Sequence, residues 1–261
     1  MNIVVLIKEV PDMDRVKFDK EKGVVDRSSA EAEINPFDMH ALQAAVDLKK
    51  KYNANVTVVT MGPPRAEKSL RDAYARGADK CVLLTDRKFG GSDTYATAIT
   101  LASAIQRIKD CDLIICGEKS VDGDTAQVGA EVAEFLDLPH TYYVEKIISI
   151  NETEIEVVSS KMRGSKQIRK MKLPALIGVN KNINIPQLPT LKRKLESLNI
   201  GIEKLGMDDL LDYMTEENTG FKGSPTKVSK IEIPKEASRE GRIFRDDRES
   251  FIKAFIAESR C

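Results

Sequence analysis

The segment GEKSVDGDTAQVGAEVAEFL, Gly117 to Leu136, issues from the apolar run CDLIIC in the order strand, loop, helix. A helix start exposes unpaired N–H groups at the positive end of the macrodipole and so favours an anion. Two carboxylates, Asp122 and Asp124, nevertheless sit in the loop. Asp124 and Gln127 have capping-box spacing, which would engage one or two of the four orphan amides. The remaining amides, a turn relaxed by Gly123 and the hydroxyl of Thr125 can still hold a phosphate, and Asp122 is placed to accept from ribose hydroxyls or an amide. A calcium loop is excluded, because Ala126 and Val128 stand where oxygen ligands are needed.

Two further strand ends offer chemistry. In FGGSDTYATAITLASAI, Gly90 and Gly91 free the backbone to approach a ligand, Ser92 or Asp93 can cap, and the helix amides suit a diphosphate. The same residues are equally consistent with a plain glycine-rich turn. In INPFDMHAL, Asn35 reads as an N-cap, Pro36 as the first helical residue and Asp38 as a first-turn acid, a helix start whose backbone groups could meet an adenosine. The first strand is followed by KEVPDMDRVKFD, without GxGxxG, so an ordinary dinucleotide-dependent dehydrogenase is not expected. Two phosphate-grade loops at neighbouring strand ends imply a dinucleotide or two nucleotides.

The elements that must position these loops alternate. Apolar runs NIVVLI, NVTVVTMG, DKCVLLT, DLIICG and TYYVEKIISI are separated by helical patterns, such as Met39, Leu42 and Val46, or Ala98, Leu101 and Ile105. This predicts an α/β fold with a doubly wound, mainly parallel, Rossmann-like sheet, in which ligands collect beyond the carboxyl ends of the strands. After Ile150, TEIEVVSSK and SKQIRKMKLPALIGV predict further strands and a hairpin that extends the sheet. Beyond Asn180 the chain is polar and punctuated by Pro186, Pro189, Pro225 and Pro234, with one short amphipathic helix near the end. It is expected to lie on another chain, the alternative being a disordered linker. The expected division is a nucleotide-binding domain over 1–185, an arm over 186–205 and an extension over 206–261. In the arm, PQLPTLKRKLESLNIGIEKL places Leu191, Leu195 and Leu198 at helical spacing, a stripe that on these residues alone reads as a core face, with Lys192, Arg193 and Lys194 as rim charge if it meets a partner.

Composition removes other classes. The 261 residues suffice for one large α/β domain, and 41 basic side chains balance 41 acidic ones, so no basic field gathers nucleic acid or an anionic membrane. No membrane span and no leader is evident, which predicts a cytoplasmic protein. Cys81, Cys111, Cys116 and Cys261 lack CxxC spacing, and His40 and His140 lack a second ligand at i+4. Buried or incidental thiols and no metal centre are expected.

With these motifs in hand, the chain resembles the β subunit of electron transfer flavoproteins (ETF) over essentially its whole length. The likeness rests on NPFxxxAL (Asn35 to Leu42), the Dx(D/G)DxxQxG loop (Asp122 to Gly129) and LPA (Leu173 to Ala175). It implies nucleotide contacts at Leu6, Asn35, Pro36, Phe37, Asp38 and Met61, and along Lys119, Ser120, Val121, Asp122, Gly123, Asp124, Thr125, Ala126, Gln127, Val128, Gly129 and Ala130. Electron-bifurcating members resemble this chain in GDTAQVG and in an FxGxDTxAT-type segment. The latter adds Phe89, Gly90, Gly91, Ser92, Asp93, Thr94 and Thr97, with Ser92 where a small apolar residue is the pattern. That likeness implies FAD and NAD as cofactors, an ETF alpha subunit, ferredoxin or flavodoxin as low-potential acceptor, and a flavin dehydrogenase of acyl-CoA or hydroxy-acid type. No side chain is implied as a catalytic acid or base, because the flavin carries the chemistry. A non-bifurcating member would hold AMP instead of the FAD; an ATP-binding module on the same sheet would want a glycine-rich loop where this one is acidic. The arm matches the family's dehydrogenase-recognition segment, with Leu188 as the anchoring leucine beside Leu191 and Leu195.

Overall fold

The computed structural model describes residues 1–12, 15, 17–19, 24–26, 31–161, 164–227, 241, 243–245 and 247–259. In chain order the strands are β1 (Asn2–Leu6), β2 (Glu9–Pro11), β3 (Lys17–Asp19), β4 (Val24–Asp26), β5 (Ala32–Ile34), β6 (Asn55–Met61), β7 (Lys80–Leu84), β8 (Leu113–Gly117), β9 (His140–Ile150), β10 (Glu154–Ser160), β11 (Lys166–Lys172), β12 (Ala175–Val179) and β13 (Glu203–Leu205). The helices are α1 (Pro36–Tyr52), α2 (Glu67–Arg76), α3 (Thr94–Ile108), α4 (Val128–Phe135), α5 (Leu191–Glu196), α6 (Gly220–Gly223) and α7 (Arg248–Glu258).

The described residues form a nine-stranded sheet in the order β11-β10-β9-β12-β8-β1-β6-β7-β13. Seven of these strands run parallel, and β10 and β11 add the expected antiparallel hairpin. Strand period sorts the apolar residues onto two faces. Ile3 and Val5 join α1 and α2 residues such as Leu42 and Leu70 in one core, while Val4 and Leu6 join Leu101, Ile105 and Val132 of α3 and α4 in the other. The α/β, mainly parallel architecture is therefore as the alternation predicts.

From β1 the chain passes through α1 to β6 on one side, whereas β8 leaves through α4 toward β9 and β12 on the other. The carboxyl ends of β1 and β8 thus meet at the switch point, where a doubly wound sheet offers a crevice.

The chain after Asn180 is less peripheral than its composition suggests. β13 pairs with β7 in parallel, and Leu205, Met207, Leu210 and Met214 are buried in the α3 face. Four apolar residues spread through a charged stretch give no periodic signal, so only tertiary contact reveals them. By internal contacts the chain divides into two compact units, 1–229 and 230–261. In the second, Phe251 packs against Phe244 and Phe255, and Phe251, Ile252, Phe255 and Ile256 of α7 are exposed.

Candidate nucleotide-binding site

Asp38 builds the centre of the crevice. Its Oδ2 accepts from the Lys8 amide at 2.8 Å and its Oδ1 from the Gly117 amide at 3.1 Å, so one side chain of α1 joins the ends of β1 and β8. Burial pushes its carboxyl up to about 7, against the downward pull of these two amides and of Asn35. Gly117 is required by close approach: a Cβ there would stand 2.5 Å from Asp38 Oδ1 and 2.7 Å from Phe37 Cβ. The start of α1 thereby lies directly on the strand that leads into the acidic loop.

Asn35 ties the same helix start to that loop. Its Nδ2 donates to the Lys119 carbonyl at 2.8 Å and its Oδ1 accepts from the Val121 amide at 3.2 Å. This corrects the sequence expectation: Asn35 occupies the N-cap position, but its side chain makes no cap bond and is spent on the loop. A long-range pair of hydrogen bonds has displaced the local one.

The loop itself also departs from expectation. There is no capping box, since α4 begins only at Val128 and Gln127, at the N-cap, makes no side-chain cap bond. Asp124 instead pairs with Lys119 at 2.6 Å, and Lys119 also lies 5.7 Å from the centre of the Phe37 ring. The left-handed residues are Asp124 (φ 53°) and Ala126 (φ 54°), not Gly123. Asp122 is held by Lys8 Nζ at 2.7 Å, so the lysine that follows β1 neutralises one of the two loop carboxylates. Each aspartate is thus paired with a lysine, and the Gln127 side chain makes no bond to the α4 amides.

Beneath α4, Tyr142 of β9 fills a slot made by two glycines. A Cβ on Gly129 would meet its hydroxyl at 2.0 Å and one on Gly178 its ring at 2.6 Å. The hydroxyl lies 3.6 Å from Cys116 Sγ and against the Ala130 amide, and burial raises its pKa. Leu6 is buried at the end of β1 and Met61 half-buried at the end of β6, both packed with the α3 face.

The structure thus brings Asn35, Pro36, Phe37 and Asp38 together with Lys119, Ser120, Val121, Asp122 and Asp124. It does not bring Phe89, Gly90, Gly91, Ser92, Asp93, Thr94 and Thr97 into that cluster by direct contact. Their link to it is a 3.1 Å hydrogen bond from Thr94 Oγ1 to Glu131 Oε1 on α4, whose Oε2 is buried without a partner among the described residues. Asp93 caps α3 by accepting from the Ala96 amide at 3.0 Å, as expected for Ser92 or Asp93. Gly91 has φ 75°, but what approaches it is the chain itself: its Cβ would meet Phe221 at 3.1 Å. Phe221 N donates to Gly90 O, Gly220 N to Ser92 Oγ, and Thr226 N and Oγ1 to Asp93 Oδ2. A cavity of about 830 Å³ on the antiparallel side is lined by His140, Tyr142, Tyr143, Lys161, Arg169 and Asn180 among others, and none of 35–38 or 119–130 lines it.

Sequence reasoning missed Lys8, Gly117 and Tyr142. Gly117 stood in the motif that drew attention, and Lys8 one turn of chain after the strand; Tyr142 has no local signal. Burial raises the thiols of Cys81, Cys111 and Cys116 to about 12, as inert structural cysteines. Cys261 lies outside the described residues. No cluster of metal-ligating residues and no helix long and apolar enough to cross a membrane occurs among the described residues.

The arm corrects one further expectation. Leu188, Leu191, Leu195 and Leu198 are 57–86% exposed, but α5 spans six residues only. Arg193 is not rim charge: its guanidinium turns inward and donates to the carbonyls of Tyr74 and Ala78 at 2.6 and 2.7 Å.

Residues 22–203 match the electron transfer flavoprotein domain family. The chain is 41% identical over 249 residues to the electron transfer flavoprotein subunit beta of Thermoanaerobacterium thermosaccharolyticum, covering 94% of this chain and 92% of the relative. It is 40% identical to the protein of the same name in Clostridium acetobutylicum, over 93% and 92% of the two chains. To the caffeyl-CoA reductase-Etf complex subunit CarD of Acetobacterium woodii it is 37% identical, over 87% and 86%. With its switch-point crevice and this similarity along nearly its full length, the chain belongs to the electron transfer flavoprotein family, among the beta subunits.

Proposed function

We propose that this chain is the beta subunit of a heterodimeric, electron-bifurcating electron transfer flavoprotein acting in the cytoplasm, and that its crevice holds the adenosine and diphosphate of an FAD. The observation that carries the reading is the joining of β1, β8 and α1 through Asp38 at the switch point, with a close approach at Gly117 that a Cβ would obstruct. The residues fit such a group: Leu6, Met61 and Asn35 to Asp38 border the adenosine end, and Val128, Gly129 and Ala130 begin the helix that faces the diphosphate. Bound FAD supplies hydride acceptance from NADH and the division of the two electrons between ferredoxin or flavodoxin and, through the alpha-subunit FAD, a dehydrogenase.

The protein's own part is binding, orientation and charge balance. Lys8 and Lys119 neutralise Asp122 and Asp124, so that the loop repels the diphosphate less, and Asn35 holds the loop at fixed height above α1. Phe89, Gly90, Gly91, Ser92, Asp93, Thr94 and Thr97 are assigned to the NADH side, stiffened by residues 219–226. Leu188, Leu191 and Leu195 are assigned to a flavin dehydrogenase, consistent with the reductase complex named for the Acetobacterium woodii relative; of the 206–261 extension, the part beyond 229 is assigned to the alpha subunit, because Met207, Leu210 and Met214 pack within the first unit.

The test is flavin content per purified heterodimer with NADH titration. Two flavins, one bleached directly by NADH, are expected. One flavin with bound AMP and no response to NADH would replace bifurcation by single-electron shuttling.

A further inference from the structure

The arm inverts the usual placement of side chains. Its leucines face solvent, while the arginines that grip it, Arg193 of the arm and Arg71 and Arg76 of α2, lie on the inner side, whereas apolar residues ordinarily go inward and charges outward. Ile185, Leu188, Leu191, Leu195 and Leu198 are 57–88% exposed. On the inner side, Arg71 Nη1 donates to the carbonyls of Ser197 and Leu198 at 2.8 and 2.9 Å, and Arg76 Nη1 to Gln187 O at 3.0 Å. Arg193 reaches back to the carbonyls of Tyr74, in the last turn of α2, and of Ala78, just beyond it, with its guanidinium 4.3 Å over the Tyr74 ring. Gln43 Oε1 accepts from the Gln187 amide at 2.9 Å. These bonds run to main-chain atoms, so they fix the path of the backbone and leave the leucine side chains outside.

Such an arrangement is not what stability of this chain alone would select. Guanidinium donors in their fixed fork are matched to carbonyls at both ends of the arm, and charge-assisted bonds of this kind are stronger than neutral ones. A flexible loop that ordered only on contact would lose conformational entropy in binding; a loop ordered beforehand does not.

We propose that Arg71, Arg76 and Arg193 are positioning residues that hold 187–200 in its docking shape before a partner arrives, presenting a fixed aliphatic row. The partner that fits is a flavin dehydrogenase with an apolar slot and an acidic rim, facing the exposed ammonium groups of Lys192 and Lys194. This rests on the assignment of the arm to a dehydrogenase made above.

The experiment uses the purified heterodimer, with a short-chain acyl-CoA dehydrogenase and an FAD-dependent hydroxy-acid dehydrogenase as the two probes. Amide exchange of 187–200 and dehydrogenase coupling are measured for the parent, Arg193→Ala, Arg71→Ala and Leu188→Ala. Each arginine variant is expected to speed exchange of the arm and to raise KM for the coupled dehydrogenase about tenfold. Its kcat at saturation, flavin content and reduction by NADH stay at parent values, and Arg193→Lys recovers part of the KM. Leu188→Ala raises KM with parent-like exchange. Faster exchange at unchanged KM, or unchanged exchange, overturns the positioning role while a Leu188→Ala effect keeps the arm as the docking surface. Parent-like KM in Leu188→Ala, or a parent coupled to neither probe, overturns the assignment of the arm itself. If an alanine variant fails to fold, Arg76→Ala, which removes a single bond to the arm, is read in the same way.

Discussion

The amide of Gly117 donates to Asp38 Oδ1 at 3.1 Å across 79 residues of sequence, in a gap that leaves no space for a Cβ on the glycine. That contact joins a strand end to a helix start and sets the depth of the crevice at the switch point.

Gly117→Ala is therefore expected to cost about 1–3 kcal/mol, the usual penalty of overpacking, because the obstructing atoms include the Phe37 backbone carbon at 2.8 Å. Thermal melting and nucleotide content check it, with both reduced. An unchanged melting temperature would mean that α1 retreats freely.

Asp38 gives the fold a pH dependence of known sign. Its carboxyl is raised from the ordinary 3.8 to about 7, so between those values the folded state binds more protons than the unfolded one. Its contribution is fully present below pH 4 and is lost as pH rises toward 7, at up to about 1.4 kcal/mol per pH unit. Denaturant unfolding at pH 5, 6 and 7 should show a steeper decline for the parent than for Asp38→Asn. Parallel profiles would refute the assignment.

Lys8→Met removes an ammonium 2.7 Å from Asp122, whose side chain is 6% exposed against 47% for the lysine. Because the carboxylate of the pair is buried, losing the ammonium is expected to cost more than the about 0–1 kcal/mol of a fully exposed pair, and the melting temperature should fall. Adenylate affinity should also fall several-fold in calorimetry, more at low salt than at high salt, because the negative charge of the loop is then less balanced where the crevice is proposed to take a phosphate. Equal affinities at both salt concentrations would argue against a phosphate near Asp122.

Gly91→Leu places a side chain at φ 75° and against Phe221. The left-handed conformation alone costs about 1–2 kcal/mol, and the displaced 219–226 segment should become sensitive to proteolysis. If the loop serves the NADH side, the KM for NADH rises in the same variant at intact flavin content. A parent-like KM with the segment released confines this loop to a structural role.

Much of the fold was legible in the sequence because strand and helix periods are local. The runs around Val4, Val58, Leu83 and Ile114 alternate with helical patterns, and that order alone specifies a doubly wound parallel sheet with its crevice at strand ends. The loop after Gly117, the helix start at Asn35 and the glycine pair at Gly90 were visible for the same reason. What each polar group in them does was decided only by tertiary structure. Asn35 and Asp124 have side chains able to cap a helix locally, but the folded chain offers Asn35 the carbonyl of Lys119, 84 residues away, where no sequence period reaches, and it holds Asp124 in a loop beside the ammonium of Lys119 instead of at a helix start. Likewise Arg193 reads as surface charge until α2 and the turn after it each supply a carbonyl within its reach, and the glycine-rich loop reads as open until residues 219–226 fold over it. Periodicity decides which face of an element is buried; the identity of the atoms that meet there depends on how distant elements are brought together.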